Sequence, residues 1–299
     1  MLPWWAVGIT LLLTAIALAI VLSVFVERYE NRIIDTPTIT TWNRILHWRD
    51  VFAYQVDLVR LARLVDKKYR QRAFTLVAGD NITVYPNQVV FAKARRLGDS
   101  GRILLPLNFT RHFGPIKRVA SQDCPFHDKR ELAVWRGSTT GPQDGPRFAL
   151  VQRWGLGESP HVDVGFNDVI QGARVDPRHV KLSLTRRQQL KDKYLISVQG
   201  NDVASGLQWM LASNSVVLMA QPTVVSAFEE QHLEPYVHYV PLQPDMSDVA
   251  TQVQWCQQHN EDCAAIAKAG REYALRFRSR SALFQAAKRT IEAYFEGVT

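Results

Sequence analysis

The chain has 299 residues, of which 46% are hydrophobic and 21% charged, and its formal net charge is +8. This length and composition support one large or two modest domains with a packed core, and three cysteines are too few for a disulfide framework. The basic balance favours an anionic partner such as nucleic acid, acidic lipid or a phosphorylated substrate, and does not choose among them.

Residues 2–26 contain no charged side chain and form a run long enough to span a bilayer, for which about 20 apolar residues are needed. A cleaved signal peptide is the main alternative, but the run lacks a basic n-region and an A-x-A cleavage site. Because no Lys or Arg precedes the run and several arginines follow it, we predict a single-pass membrane anchor over residues 1–27, with the remainder in the cytoplasm.

Residues 28–128 are predicted to form a linker, a helical segment and a smaller lobe. Apolar side chains recur at three- and four-residue steps in residues 41–72, which indicates a helix. The basic cluster within 67–72 is either a solvated helix face or a patch for lipid or nucleic acid. Three strand-like runs separated by turn residues follow at 74–79, 89–94 and 103–107.

Strand-like and helix-like runs alternate regularly over residues 129–280. We predict strands at 131–135, 161–166, 194–198, 216–219 and 236–242. We predict helices at 147–154, 184–192, 205–212, 224–233, 246–260 and 261–277. The alternation indicates βαβ units around a parallel sheet, so we assign an α/β fold with a doubly wound second lobe and a last helix over 281–299.

In doubly wound sheets, ligands bind beyond the carboxyl ends of the strands, at the topological switch point. The first predicted loop in such a position, WRGSTTGPQDGPR, contains Arg136 and Arg147, whose guanidinium forks suit phosphate oxygens. Gly137 would let the backbone approach a ligand closely, and the hydroxyl groups of Ser138 and Thr139 would add donors. A plain turn with a surface arginine explains the same residues equally well.

The second loop follows the predicted strand YLISV and contains Gly200 and Asn201. A helix is expected to start near Ala204 or Ser205, where free N–H groups and the helix dipole would stabilise an anion by roughly 0.3–1 kcal/mol. The alternative for Ser205 is helix capping, which is the commoner use of such a residue.

The third loop contains Asp80, which follows a strand of the smaller lobe. If the two lobes face each other, its carboxylate could act as a general base. An Asp-Asn turn is the alternative.

Cys256, His259 and Cys263 share a helical face, and Cys124 and His127 could complete a zinc site. A buried helix face gives the same spacing, so we predict no metal site.

The strings WRGSTTG, DVGF, KYLISVQGNDVASGLQWMLASNSVVLM and LEPYVHYVPL, in this order, resemble glycosyltransferase family 90. That family includes CAP10-like proteins, lipopolysaccharide-modifying glycosyltransferases of bacteria and protein O-glucosyltransferases of animals. The likeness runs from about residue 74 to 275 and is densest at 135–141 and 193–241. It implies a GT-B architecture, in which two Rossmann-like lobes enclose a central cleft, and an inverting transfer from a nucleotide-sugar co-substrate without another cofactor or a bound metal.

The resemblance also implies roles for individual residues. Asp80 best matches the family's catalytic aspartate. The loops that resemble its donor-binding elements contribute Arg136, Gly137, Ser138, Thr139, Arg147, Gly200, Asn201, Ala204 and Ser205. Ser213, Asn214 and Ser215 would lie close to the nucleoside or the sugar. The chain departs from the animal branch at Leu207, where many members carry an arginine.

The sequence therefore predicts a bacterial inner-membrane glycosyltransferase with a cytoplasmic catalytic domain. Its expected partners are a nucleotide-sugar, a lipid-linked or lipopolysaccharide-core acceptor and the membrane, without nucleic acid. Two alternatives remain open from the residues alone. One is a membrane-anchored, non-catalytic protein that binds anionic lipid or nucleic acid, and the other is a different GT-B-type enzyme such as a phosphorylase or an epimerase.

Overall fold

A computed structural model describes residues 37–48 and 53–297. Its strands are β1 Thr38–Thr41, β2 Ala73–Val77, β3 Val90–Ala92, β4 Ala94–Arg96, β5 Arg102–Leu104, β6 Arg130–Ser138, β7 Val162–Asp168, β8 Asp192–Ile196, β9 Val216–Ala220, β10 Val224–Ser226 and β11 Val240–Leu242. Its helices are α1 Trp42–Leu46, α2 Ala53–Leu64, α3 Phe109–His112, α4 Ile116–Val119, α5 Pro146–Trp154, α6 Arg186–Gln189, α7 Leu207–Leu211, α8 Val249–Gln258, α9 Asn260–Leu275 and α10 Arg280–Glu296.

The predicted anchor over residues 1–27 lies outside the described residues. Within 37–48 and 53–297, every helix is too short or too polar to cross a membrane.

The first lobe is built on a four-stranded sheet in the order β1-β2-β3-β5. β2, β3 and β5 are parallel, with Leu76 paired to Phe91 and Phe91 to Ile103, while β1 is an antiparallel edge strand. The helix predicted over 41–72 is instead two helices, because α1 ends at Leu46 and α2 begins at Ala53.

The second lobe is built on a five-stranded parallel sheet in the order β11-β9-β8-β6-β7. β8 is buried along its whole length, as expected for a strand with helices on both sides of the sheet. The strand order reverses between β6 and β8, so the topological switch point lies where these two strands end. The predicted α/β fold with parallel sheets is confirmed, whereas treating residues 28–128 and 129–280 as separate domains stays a prediction.

The two lobes are joined by a short antiparallel sheet of β4 and β10, in which Ala94 pairs with Ser226 and Arg96 with Val224. The helix predicted over 224–233 is therefore wrong at its start. Its β-branched valines form a strand against β4, as their intrinsic preference favours, and Glu230–His232 forms only a single 3₁₀ turn.

The last helix, α10, packs on the first lobe. Phe295 stacks on Tyr69 at a ring distance of 5.7 Å and lies edge-on to Phe74 at 6.3 Å. The last helix, α10, thus closes the hydrophobic core of the first lobe.

Candidate active site

Two loops meet at the switch point, residues 139–145 after β6 and residues 197–206 after β8. The backbone N–H of Gly141 donates to Oδ1 of Asn201 at 2.9 Å. Gly141 has a φ of +97°, and a Cβ atom on it would lie 3.1 Å from the backbone of Gly200. Glycine is favoured at 141 by its positive φ and by the close backbone of Gly200, whereas a Cβ atom on Gly200 would meet the side chains of Thr140 and Arg147.

Arg147, in the first turn of α5, ties the two loops together. Its guanidinium donates to the carbonyl oxygens of Gln199 at 3.1 Å, Ser138 at 2.9 Å and Val198 at 3.3 Å, and to Oγ1 of Thr140 at 2.6 Å. All four acceptors are neutral. Burial and, to a smaller extent, the nearby charge of Arg111 lower the pKa of Arg147 to about 10. This guanidinium is therefore a cation held in place without a neutralising contact to a carboxylate among the described residues.

Arg111 brings a second positive charge to the same place from the first lobe. It lies in α3, whose first N–H, that of Phe109, donates to Oδ2 of Asp57 at 2.7 Å. The Nη2 atom of Arg111 lies 3.4 Å from Oγ of Ser205. Arg111, Arg147 and Ser205 line a cavity of about 270 Å³ between the lobes. Two arginines without a carboxylate ion-pair partner in the described chain make this cavity suited to an anion.

A larger cavity of about 490 Å³ lies on the other side of the 197–206 loop. Its walls are mostly apolar and come from the ends of β8 and β9 and from the loops that follow β6 and β11, including Pro142, Met219 and Met246. Gly200 and Asn201 line this cavity, Ser205 lines the smaller one, and Ala204 lines both.

Asp80 is the acidic group on the first-lobe side of the cleft, just beyond the carboxyl end of β2. It accepts a hydrogen bond from the hydroxyl group of Tyr54 at 2.8 Å and forms an ion pair with Lys93, which follows the adjacent strand β3. Burial alone would raise the pKa of Asp80, but Lys93, the hydroxyl group of Tyr54 and the charge of Arg111 outweigh it and hold the pKa below its usual range. Asp80 is therefore ionised at neutral pH.

Lys93 also reaches the second lobe, since its Nζ lies 2.6 Å from Oδ2 of Asp202 in the 197–206 loop. Asp202 is buried, and this raises the pKa of its carboxyl group to about 6 in spite of Lys93. His112 is buried beside Lys93 and Arg111, and its pKa falls to about 3, so its ring is neutral.

The family model for glycosyl transferase family 90 matches residues 109–294, which include α3, the whole five-stranded parallel sheet of the second lobe and both switch-point loops. The chain belongs to glycosyl transferase family 90.

Several relatives of this chain are named as O-glucosyltransferases. The O-glucosyltransferase LpsA of Dichelobacter nodosus is 30% identical over 227 residues, which cover 75% of this chain and 66% of that protein. Protein O-glucosyltransferase 2 of Danio rerio is 38% identical over 84 residues, covering 28% of this chain and 17% of that protein. The chain thus spans just under two thirds of the bacterial relative and a small part of the vertebrate one.

The crystal structure of Anabaena Alr3699/HepE in complex with UDP and glucose aligns at a TM-score of 0.41 and 13% identity, covering 60% of this chain and 52% of that one. A similarity this low supports no argument about the present chain.

Arg136, matched above to the family 90 donor-binding loop, lines the smaller cavity, but its side chain is used within the protein. Its guanidinium makes a bidentate ion pair with Asp163, at 2.8 and 2.9 Å, and donates to the carbonyl oxygens of Leu182, Trp135 and Asp163. All five N–H groups are therefore bonded, so Arg136 holds β6 to β7 and the loop after β7 and offers no free fork to a phosphate.

The remaining residues of the WRGS loop differ in their positions. Gly137 and Ser138 line the smaller cavity, and a Cβ atom on Gly137 would clash with the indole ring of Trp135 at 2.5 Å. Thr139 is buried, and its hydroxyl group exchanges hydrogen bonds with the backbone of Ile170. Thr139 therefore fixes the loop and does not face the cavity.

The helix expected at Ala204 or Ser205 begins at Leu207 and has only five residues, with Gly206 as its N-cap. Its dipole is correspondingly small, so an anion at this place would be stabilised mainly by arginine side chains. Leu207, at the position where many animal members carry an arginine, is 4% exposed and packs in the core. Arg111 instead brings a positive charge to Ser205 from the opposite lobe.

Ser213, Asn214 and Ser215 lie at the opposite edge of the sheet from both cavities. They precede β9, so they sit at the amino ends of the parallel strands, whereas both cavities lie at the carboxyl ends. Their hydrogen bonds are structural: Asn214 Nδ2 donates to the carbonyl oxygen of Cys124 at 3.0 Å, and Ser215 Oγ donates to that of Asp192 at 2.7 Å.

Within residues 37–48 and 53–297, no group of three His, Cys, Asp or Glu side chains is arranged to hold a metal ion. The ring of His259 stacks on Trp255 at 4.4 Å. Cys256 and Cys263 are both fully buried in the hydrophobic core, as expected for a buried helix face.

Lys93, Tyr54 and Arg111 are the site residues that the sequence reasoning missed. For Lys93, the lysine inside the apolar run VVFAKA indicates a buried ion pair, because lysine is almost never fully buried unless it is paired. Nothing in the sequence places Tyr54 or Arg111, since both reach the cleft through tertiary packing.

Gly200→Ala is expected to weaken binding of a nucleoside diphosphate without unfolding the protein. The new methyl group would lie 2.7 Å from Oγ1 of Thr140 and 2.8 Å from Nη2 of Arg147. Overpacking of this kind costs about 1–3 kcal/mol and would displace Arg147, so we expect the dissociation constant to rise about tenfold. Calorimetric titration with nucleoside diphosphates measures this.

Asn214→Ala is the matched control for Gly200→Ala. It removes the side-chain hydrogen bonds to Cys124 and Arg271 at the opposite edge and should lower the free energy of unfolding by about 1–3 kcal/mol. Its nucleotide affinity should equal that of the wild type, and an equal loss in both variants would contradict the assignment of the cleft.

Proposed function

We propose that this chain is an inverting glycosyltransferase that moves glucose from a nucleoside diphosphate glucose to a hydroxyl group of a glycan. Membership of family 90 and the similarity to two O-glucosyltransferases support the reaction class and the sugar. The observation that carries the proposal is the pair of arginines, Arg147 and Arg111, that face one cavity at the switch point without a carboxylate partner in the described chain.

The donor diphosphate is proposed to lie in the smaller cavity, between Arg147 of the second lobe and Arg111 of the first. Arg147 is held by four neutral acceptors before any ligand arrives. Such a preorganised cation stabilises the negative charge that develops on the leaving group in the transition state. Ser138 and Ser205 also line this cavity and add hydroxyl groups, and Asp168 is the acidic residue in its lining.

The nucleoside is proposed to lie in the larger cavity, on the other side of the 197–206 loop. Its apolar walls at Pro142, Met219 and Met246 suit a flat base. Gly200 and Asn201 would then lie between the two parts of the nucleotide.

Asp80 is proposed as the general base of a single displacement. The acceptor oxygen attacks the anomeric carbon, and the bond from that carbon to the phosphate oxygen breaks with its electron pair leaving on the nucleoside diphosphate. The proton of the acceptor hydroxyl group passes to Asp80. Attack from the face opposite the leaving group inverts the anomeric centre.

A membrane-associated acceptor, such as the core of a lipopolysaccharide, is the finer part of the proposal. Two sequence features support it: the uncharged run over residues 2–26 and the net charge of +8. Both would hold the enzyme at an anionic membrane surface, where a cytoplasmic catalytic domain at the bacterial inner membrane would meet a lipid-linked glycan.

The test is a donor panel offered to the full chain. UDP-, GDP- and ADP-glucose and a CMP-sugar are each incubated with and without a lipopolysaccharide-core acceptor, and release of nucleotide and the anomeric configuration of the product are measured by NMR. Transfer from one glucose donor, with inversion, is the expected result. If no donor is hydrolysed or transferred and no nucleotide binds at millimolar concentration, the proposal fails.

A further inference from the structure

Lys93 is the most fully enclosed charged group at the cleft. It follows β3, and its side chain is 4% exposed. A buried ammonium group costs several kcal/mol unless carboxylates compensate it, and here two do. Asp80 comes from its own lobe, and Asp202, itself buried with a side chain 5% exposed, comes from the 197–206 loop of the other.

The position of Lys93 in the chain is as informative as its contacts. The next residue, Ala94, opens β4, the strand that pairs with β10 of the second lobe. The ammonium group therefore lies beside the one short sheet that joins the two lobes within the described residues. The hydroxyl group of Tyr54, 3.2 Å from Nζ, completes its contacts and also bonds to Asp80.

We propose that Lys93 is a positioning residue for sugar transfer, which fixes Asp80 and the donor-binding 197–206 loop relative to each other by sharing its ammonium group between Asp80 and Asp202. This inference rests on the proposed function, because Lys93 would act through the proposed base Asp80 and the proposed donor-binding loop. It assigns no chemical step to Lys93 itself. Lys93 does not line either cavity, and it acts through the two carboxylates.

Removing Lys93 has a predictable electrical consequence. The groups that then act on Asp80 include Tyr54, the neutral ring of His112, the carboxyl group of Asp202 and, more distantly, the positive charges of Arg111 and Arg147. Burial, until then outweighed by Lys93, would raise the pKa of Asp80, and an ionised Asp202 would raise it further. Because only ionised Asp80 accepts a proton, the acid limb of kcat/KM would move to higher pH.

The experiment compares the pH profile of the full-length wild type with that of Lys93→Met, which keeps the length of the side chain and removes its charge. The acid limb of kcat/KM is expected to move up by about 1–3 pH units. Donor affinity is expected to fall as well, because Asp202 loses its tie to the first lobe. An unchanged acid limb in a folded Lys93→Met variant would overturn the proposal.

Lys193→Met is the matched control. Lys193 is also a buried lysine paired with a carboxylate, Glu131, and with Asn260 at 2.9 Å, but it lies near the amino end of β8. Its removal should lower stability and leave the acid limb in place. An equal shift of the acid limb in both variants would show a general effect of instability and would overturn the positioning role.

Two further measurements keep the test decisive. If Lys93→Met does not fold, Lys93→Met/Asp202→Asn removes the uncompensated buried charge and should still show the raised acid limb. If the wild type transfers no sugar, ¹³C NMR titration of the Asp80 carboxyl group in wild type and variant reads the same coupling without turnover. An unchanged titration there overturns the role of Lys93, whereas a failed donor panel overturns the proposed function.

Discussion

Replacing Asp80 by asparagine is expected to lower the rate of sugar transfer about 10²–10⁴-fold while the enzyme still binds its donor. The amide keeps an oxygen that can accept from Tyr54 and Lys93, so the packing of the cluster survives. It cannot accept the proton of the acceptor hydroxyl group. The measurement is kcat for transfer together with the dissociation constant of the nucleoside diphosphate.

The lowered pKa of Asp80 also predicts how the wild-type rate depends on pH. The low pKa of Asp80 keeps the carboxylate ionised down to pH values below the usual carboxylate range, so the wild-type rate should not fall between pH 7 and pH 5 through this group. A carboxylate with a lowered pKa is a weaker base, and this cost is offset because its basic form is fully populated.

Asp176→Asn is the control for Asp80→Asn, since Asp176 pairs with Arg178 on the surface and touches neither cavity. It should leave both the rate and the affinity unchanged. If Asp80→Asn keeps more than a tenth of the wild-type rate, Asp80 is not the base.

The sequence was sufficient for the fold class and for the strands of the second lobe because periodicity and burial are local properties there. The run Tyr194–Val198 is apolar because both faces of β8 are covered, and this pattern predicts a buried strand without knowledge of its neighbours. The helix predicted over 224–233 failed for the opposite reason. Val224–Ser226 pairs with β4, about 130 residues earlier in the chain, and no local pattern encodes that partner.

The sequence indicates which loops meet at the cleft, but it does not show which of their charged side chains face the cavities. Strand order and the carboxyl-end rule place Gly141, Asn201 and Ser205 together once β6 and β8 are neighbours. The roles of the two arginines in the first loop could not be separated by residue type. Arg136 pairs with Asp163 of the neighbouring strand, whereas Arg147 donates only to neutral acceptors in the described chain. Both sets of contacts depend on the tertiary structure, so the local sequence does not reveal them.

The polar stretch Ser213–Ser215 illustrates a related limit. Its residues resemble a ligand-binding turn, but the direction of β9 places them at the amino edge of the sheet. There the hydroxyl group of Ser215 donates to the carbonyl oxygen of Asp192 in β8, and the side-chain amide of Asn214 donates to that of Cys124. Residue type alone does not distinguish closing a sheet edge from binding a ligand.

Arg147→Gln is expected to raise the dissociation constant of the donor's nucleoside diphosphate about 10- to 150-fold, since a hydrogen bond to a charged group contributes about 1.5–3 kcal/mol. The affinity for the bare nucleoside should change little, because the base and ribose are proposed to occupy the other cavity. Comparing the two ligands by calorimetry separates a lost phosphate contact from a general disturbance of the loops.

Arg111→Gln and Arg136→Gln are the comparison variants for Arg147→Gln. Arg111 is exposed, so its loss should raise the same constant only about two- to fivefold, and the effect should shrink as salt is added. Arg136→Gln breaks the ion pair with Asp163 and should lower stability with a smaller effect on nucleotide affinity. If Arg147→Gln weakened nucleoside and nucleoside diphosphate equally, Arg147 would be a support for the loops, and the diphosphate would have to be placed elsewhere.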